Sequence, residues 1–191
     1  MSKKILILIV GETGSGKTTV CNYLPFHKVC SYSTRPMRKG EVNERDHIFI
    51  SDEKMDEIEK NEHIIAWSNN CGHRYCATEE MLKCGINLYI IDPAGVEWFQ
   101  KSYSGDELMA ITIGLFVDRN IREERCKNRS DFETKFKKRS DDEKEMYGNF
   151  RYNGKFDYCI KNKDSLTTAC IIENIIKTEV MRERNLCNDG K

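Results

Sequence analysis

The chain is predicted to fold as an α/β domain, a parallel β-sheet covered on both faces by helices. Three observations say so. The run from residue 4 to Val10 is rich in Ile and Leu and stops at Gly11, as a strand buried on both faces does. Shorter apolar runs recur down the chain and alternate with segments of helical period, which is the order of a parallel sheet. A length of 191 residues suffices for one such domain with a sizeable core.

The elements follow in order. After the first strand and a glycine-rich loop, a helix is expected from Lys17 to about Leu24, where Pro25 stops it. A short strand over Lys28–Tyr32 leads into a polar, arginine-bearing segment. Ser51 is placed to cap a helix carrying Met55 and Ile58 on one face. Ile64–Ser68 reads as a strand, Thr78 as the cap of a short helix ending at Gly85, and Asn87–Ile91 as a buried strand closed by Asp92. A helix over 93–101 and a strand over 110–117 come next. Arg119 to about Met146 is charged and helical, with a break near Asn128–Asp131. Phe156–Ile160 is the last strand, and Leu166 to about Met181 a closing amphipathic helix with Ala169, Ile172, Ile175, Ile176 and Val180 inward. The polar tail from Asn185 is expected to fray.

Lysine plus arginine number 31 and aspartate plus glutamate 31, with a sequence pI near 6.9, so a nucleic-acid polymer is not an expected partner. No run is long enough to cross a bilayer, and residues 1–10 lack the parts of a signal peptide, so no membrane partner and a cytoplasmic location are expected. The nine cysteines are odd in number, scattered and mostly at apolar positions, which suits reduced thiols. Cys71, Cys76 and Cys84 lack the paired spacing of a zinc site.

Residues 11–18 read GETGSGKT. Gly11, Gly16, Lys17 and Thr18 satisfy the phosphate-loop pattern, in the required place between a buried strand and a helix. Glycines let successive N–H groups turn inward around phosphate oxygens, and the helix start adds positive partial charge. Lys17 reaches the terminal phosphates, and Thr18 offers a hydroxyl to Mg²⁺. A plain strand-to-helix turn would explain the glycines but not the lysine and threonine at fixed offsets. The triphosphate site is therefore assigned to Gly11, Glu12, Thr13, Gly14, Ser15, Gly16, Lys17, Thr18 and Thr19. Asp92 has two readings of equal weight: a ligand of Mg²⁺, directly or through water, or a turn and helix cap before Pro93. Arg35 and Arg38, with Pro36 stiffening the segment, present two planar forks suited to a phosphomonoester, and Tyr75 could add a hydroxyl donor.

The stretch SYSTRPMRKGEVNERDHIF at 31–49 resembles the acceptor segment of guanylate kinases, through Ser31, Thr34, Arg35, Arg38, Gly40, Glu41, Asp46 and Phe49. Further matches follow in register at Trp67, Gly72, Tyr75, Asp92 and Gly95, then Arg125, Arg129 and Arg139, and FDYCIKN at 156–162. The resemblance covers residues 5 to about 178. It implies a three-layer P-loop NTPase fold with a parallel sheet, an inserted monophosphate-binding subdomain and a helical lid. The parts would be a core of 1–32, 81–118 and 149–184, an acceptor subdomain of 33–80 and a lid of 119–148. It also implies an ATP- and Mg²⁺-dependent nucleoside monophosphate kinase, GMP or dGMP being the default acceptor, in a monomer or homodimer. On that resemblance Lys17, Arg35, Arg125, Arg129 and Arg139 would be catalytic and Asn162 an ATP contact. Ser31, Arg35, Arg38, His47, Ala66, Tyr75, Ala77 and Asp92 would face the monophosphate. Between Arg119 and Arg139 stand nine basic and four acidic residues, a local positive excess in a neutral chain.

The resemblance fails at three contacts. Ala66 stands where the family has a glutamate for the guanine edge, Ala77 where it has Ser or Thr, and His47 where it has a phosphate-gripping tyrosine. Each lost base partner costs about 1–3 kcal/mol, so guanine preference is open. Asn69 or Asn70 could read guanine instead, or a smaller apolar pocket could suit another base such as a pyrimidine. A protonated His47 would strengthen acceptor binding toward pH 6. A phosphosugar kinase and a non-catalytic binding module are the remaining alternatives; the intact Gly16, Lys17 and Thr18 speak against the module.

Overall fold

The computed structural model describes residues 4–103, 108–127 and 137–189. Its first strand, β1 (Lys4–Val10), is buried along nearly its whole length and pairs in parallel with two neighbours. These are β7 (Gly85–Ile90) and β8 (Leu108–Phe116). Two short edge strands, β2 (His27–Lys28) and β9 (Tyr158–Lys161), complete a five-stranded sheet in the order β2-β7-β1-β8-β9, with every pairing parallel.

Alternate residues of β1 face opposite layers. Ile5, Ile7 and Ile9 pack with Val20 and Cys21 of α1 (Lys17–Asn22), Leu24, and Ala169, Ile172 and Ile176 of α6 (Ser165–Asp189). Leu6, Leu8 and Val10 face α3 (Pro93–Ser102), which brings Val96 and Phe99, and α5 (Lys137–Tyr152), which brings Tyr147 and Phe150. This strand thus anchors a three-layer core by its period of two.

A second sheet, in the order β4-β3-β6-β5, is built from β3 (Tyr32–Ser33), β4 (Ile48–Phe49), β5 (Ile64–Asn70) and β6 (His73–Thr78). One face packs Cys76, with Tyr32 and Trp67, on Met55 and Ile58 of α2 (Asp52–Asn61). Ser51 caps α2 as expected, its hydroxyl accepting the N–H of Lys54 at 3.3 Å.

Several expectations need correction. The strand read over 28–32 is two strands, β2 and β3, in different sheets. β4 and β6 were not anticipated. Thr78 ends β6 and caps nothing with its side chain; only a single 3₁₀ turn, Glu79–Met81, follows, and Gly85 opens β7. The closing helix continues to Asp189 through the tail expected to fray. Of the charged segment, α4 (Arg119–Cys126) and α5 are helical, and the expected break lies outside the described residues.

Candidate active site

The loop between β1 and α1 takes its shape from two glycines in the left-handed region, Gly14 and Gly16. At Gly16, φ is 88°, and an added Cβ would lie 2.5 Å from the Asn162 amide nitrogen, so only glycine fits. Asn162, 1% exposed, donates to the Ser15 carbonyl at 2.8 Å and accepts from the Thr168 hydroxyl at 3.0 Å. Its side chain supports the loop from behind, through one amide hydrogen and the carbonyl oxygen. Lys17 folds along the loop and donates to the carbonyls of Gly11 and Glu12. Thr18 and Thr19 are exposed on the first turn of α1. The Ser15 hydroxyl is buried with no hydrogen-bond partner among the described residues. It lies where a Gly11 Cβ would come within 2.7 Å of it, so Gly11 too is required by close packing inside the loop.

Helix α4 lies over this loop. Arg125 is exposed, and its guanidinium lies 3.5 Å from the place a Gly16 Cβ would take. Arg129 lies outside the described residues; Arg139 falls in α5, its side chain outside them. Sequence reading overlooked Arg122, whose guanidinium pairs with Glu12 at 2.7 Å, and Glu143, which accepts from Thr13. Burial pushes the Glu12 carboxyl up; Arg122 resists the rise and Glu143 adds to it.

The second sheet supplies the other cluster. Pairing sets Ala66 opposite Ala77, Ser68 opposite Tyr75, and Ser33 opposite Tyr75 and Phe49, so these side chains share the face turned away from α2. Arg35, 7% exposed, lies here: its fork meets Glu41 with two bonds of 2.7 Å, and it stands 5.2 Å over the Phe49 ring. Burial opposes the charge of this guanidinium, while Glu41 and then Tyr75 favour it. Glu41 also accepts the Arg38 backbone N–H at 2.8 Å. Burial opposes its charge, yet Arg35 and Arg38 together hold the carboxyl down at about 2.

His47 stacks edge-on against Tyr75 and Phe49, and its Nδ1 lies 3.1 Å from the Ser31 hydroxyl. Burial, then the Arg35 charge, lowers its pKa to about 4, so the ring is neutral at pH 6 to 8. This works against the gain of a phosphate-binding charge expected toward pH 6. Ala66 and Ala77, 1% and 0% exposed, are part of the core beside Tyr89 and Leu82 and bring no polar group.

Asp92 joins the two clusters. The preceding Ile91 donates to the Ile9 carbonyl at 3.1 Å, which fixes Asp92 at the edge of the sheet beside the start of the loop. Its Oδ1 accepts the Gly95 N–H at 2.8 Å, the helix-capping half of its two readings, and its Oδ2 accepts the Ser68 hydroxyl at 2.8 Å. Ser68, also overlooked in the sequence, ties the second sheet to this edge.

Comparison with known proteins agrees with this geometry. A family model described as guanylate kinase matches residues 2–179. The guanylate kinase of Chlamydia trachomatis serovar D is 27% identical over 188 residues, covering 93% of this chain and 89% of its own length. That of Helicobacter pylori strain 26695 is 29% identical over 196 residues, covering 93% and 88%. The crystal structure of guanylate kinase from Anaplasma phagocytophilum superposes with a TM-score of 0.68 at 21% identity, over 93% of this chain and 87% of that one, which shows the shared fold. A phosphate loop at the end of β1, an arginine-centred face on a second sheet and a family match spanning both together place the chain in the guanylate kinase family, phosphotransferases of the nucleoside monophosphate kinase class.

Proposed function

We propose that the chain transfers the terminal phosphoryl group of ATP to a nucleoside monophosphate, with GMP or dGMP as the default acceptor. What supports the reading is the pair of side-chain clusters flanking Asp92: the Gly11–Thr19 loop on one side, and Arg35, Tyr75, Ser31 and His47 on the other. Lys17, Arg125 and, by family resemblance, Arg129 and Arg139 would neutralise the donor phosphates. Arg35 and Arg38 would orient the acceptor monoester. Mg²⁺ would bring added positive charge, with Thr18 as its hydroxyl ligand and Asp92, whose oxygens each already accept a bond, acting through water. The acceptor is itself an anionic phosphate and needs no strong base, so alignment and charge neutralisation supply the catalysis. The division into core, acceptor subdomain over 33–80 and lid over 119–148 belongs to the same reading.

Guanine meets no carboxylate at Ala66 and no hydroxyl at Ala77. A panel of common NMPs and dNMPs in a coupled ADP-release assay tests the assignment. Turnover of GMP or dGMP above all others is expected; turnover confined to a pyrimidine nucleotide would move the acceptor to another base, and silence across the panel would overturn the proposal.

A further inference from the structure

Two buried charged side chains grip the phosphate loop from outside. Glu143 on α5, 6% exposed, accepts the Thr13 N–H at 2.8 Å on one carboxylate oxygen and the Thr13 hydroxyl at 2.6 Å on the other. Arg122 on α4, 4% exposed, donates to Glu12 at 2.7 Å, to the Thr13 carbonyl at 3.1 Å and to the Val117 carbonyl at 3.3 Å. The next residue, Gly14, presses on the same helix: an added Cβ would lie 2.8 Å from the Arg122 carbonyl oxygen. Helices α4 and α5 therefore clamp the outer half of the loop, each through a single charged side chain.

A segment with left-handed residues at Gly14 and Gly16 has many backbone alternatives of similar energy, yet its N–H groups bind phosphate only in one of them. Fixing that shape beforehand removes an entropy cost that the ligand would otherwise bear. A carboxylate suits Thr13 because one acceptor-only group satisfies both of its donors with charge-assisted bonds. Arg122 pairs with Glu12, and Lys17 and Arg119 also favour the Glu12 charge, against burial and the neighbouring Glu143 carboxylate.

We propose that Glu143, seconded by Arg122, is a positioning residue for the donor nucleotide, holding Glu12 to Gly14 in the phosphate-receiving form. The inference rests on the donor half of the function proposed above. Titration calorimetry with ADP and a non-hydrolysable ATP analogue, beside steady-state KM values for both substrates, tests it in wild type, E143A, E143Q, T13V and E143A/T13V. Nucleotide binding should weaken about tenfold in E143A and about threefold in E143Q, which keeps one acceptor. The acceptor KM should stay within about twofold, and the double variant should be no weaker than E143A because the partners share one interaction. If E143A melts early, the near-isosteric E143Q decides. Nucleotide binding in E143Q equal to or tighter than wild type, or an equal rise in the acceptor KM, would overturn the proposal. Failure of the wild type itself to bind ATP would instead remove the donor reading.

Discussion

Arg35 is committed before any substrate arrives: its fork is spanned by Glu41 and its face rests over Phe49. A guanidinium held this way presents its remaining edge in a fixed direction, which a lysine could not do. Beside it, His47 is kept neutral, and this has a consequence for stability. Its folded pKa of about 4 lies below the ordinary 6.5, so the unfolded chain binds the extra proton first and the folded state loses stability as pH falls from 6.5 toward 4. The loss should be on the order of 1–3 kcal/mol. Chemical denaturation at pH 7 and pH 5 should show a smaller drop in H47Y than in wild type, while the acceptor KM of wild type should carry no His47 titration between pH 6 and 8.

The β5–β6 hairpin shows what element-level signals miss. Its two turn residues, Cys71 and Gly72, have φ of 54° and 78°, the positive pair that a two-residue hairpin turn of type I′ demands. Cysteine bears that conformation at a cost, whereas asparagine tolerates it. Replacing Cys71 by Asn should stabilise the chain by about 0.5–1 kcal/mol, read as a higher urea midpoint with unchanged slope. The turn was hard to read because its first residue is cysteine, and β6 carries a mixed sequence, His73–Thr78, with no clean alternation. β3 and β4 are two residues each, too short for any periodicity. By contrast β1, β7 and β8 were legible because burial on both faces leaves nearly continuous apolar runs, interrupted by polar Asn87 in β7 and Thr112 in β8.

At the scale of the whole molecule, the phosphate loop was legible because its motif is local, while its supports were not because they come from far along the chain. Thr13 meets Glu143, Glu12 meets Arg122, and Ser15 meets Asn162. Glu143 sits in a helix so rich in charge that no pattern marks one carboxylate among many. Asn162→Ala would orphan the Ser15 carbonyl and the Thr168 hydroxyl, so a loss of about 2–3 kcal/mol in unfolding free energy is expected, together with weaker ADP binding in the folded variant. These supports also order events in time. The segment bearing the glycines leaves the ribosome before its supports, and its scaffold is completed only when residue 162 has emerged. A nascent chain ending before Glu143 would therefore carry the glycine-rich motif without the distant side chains that hold its shape.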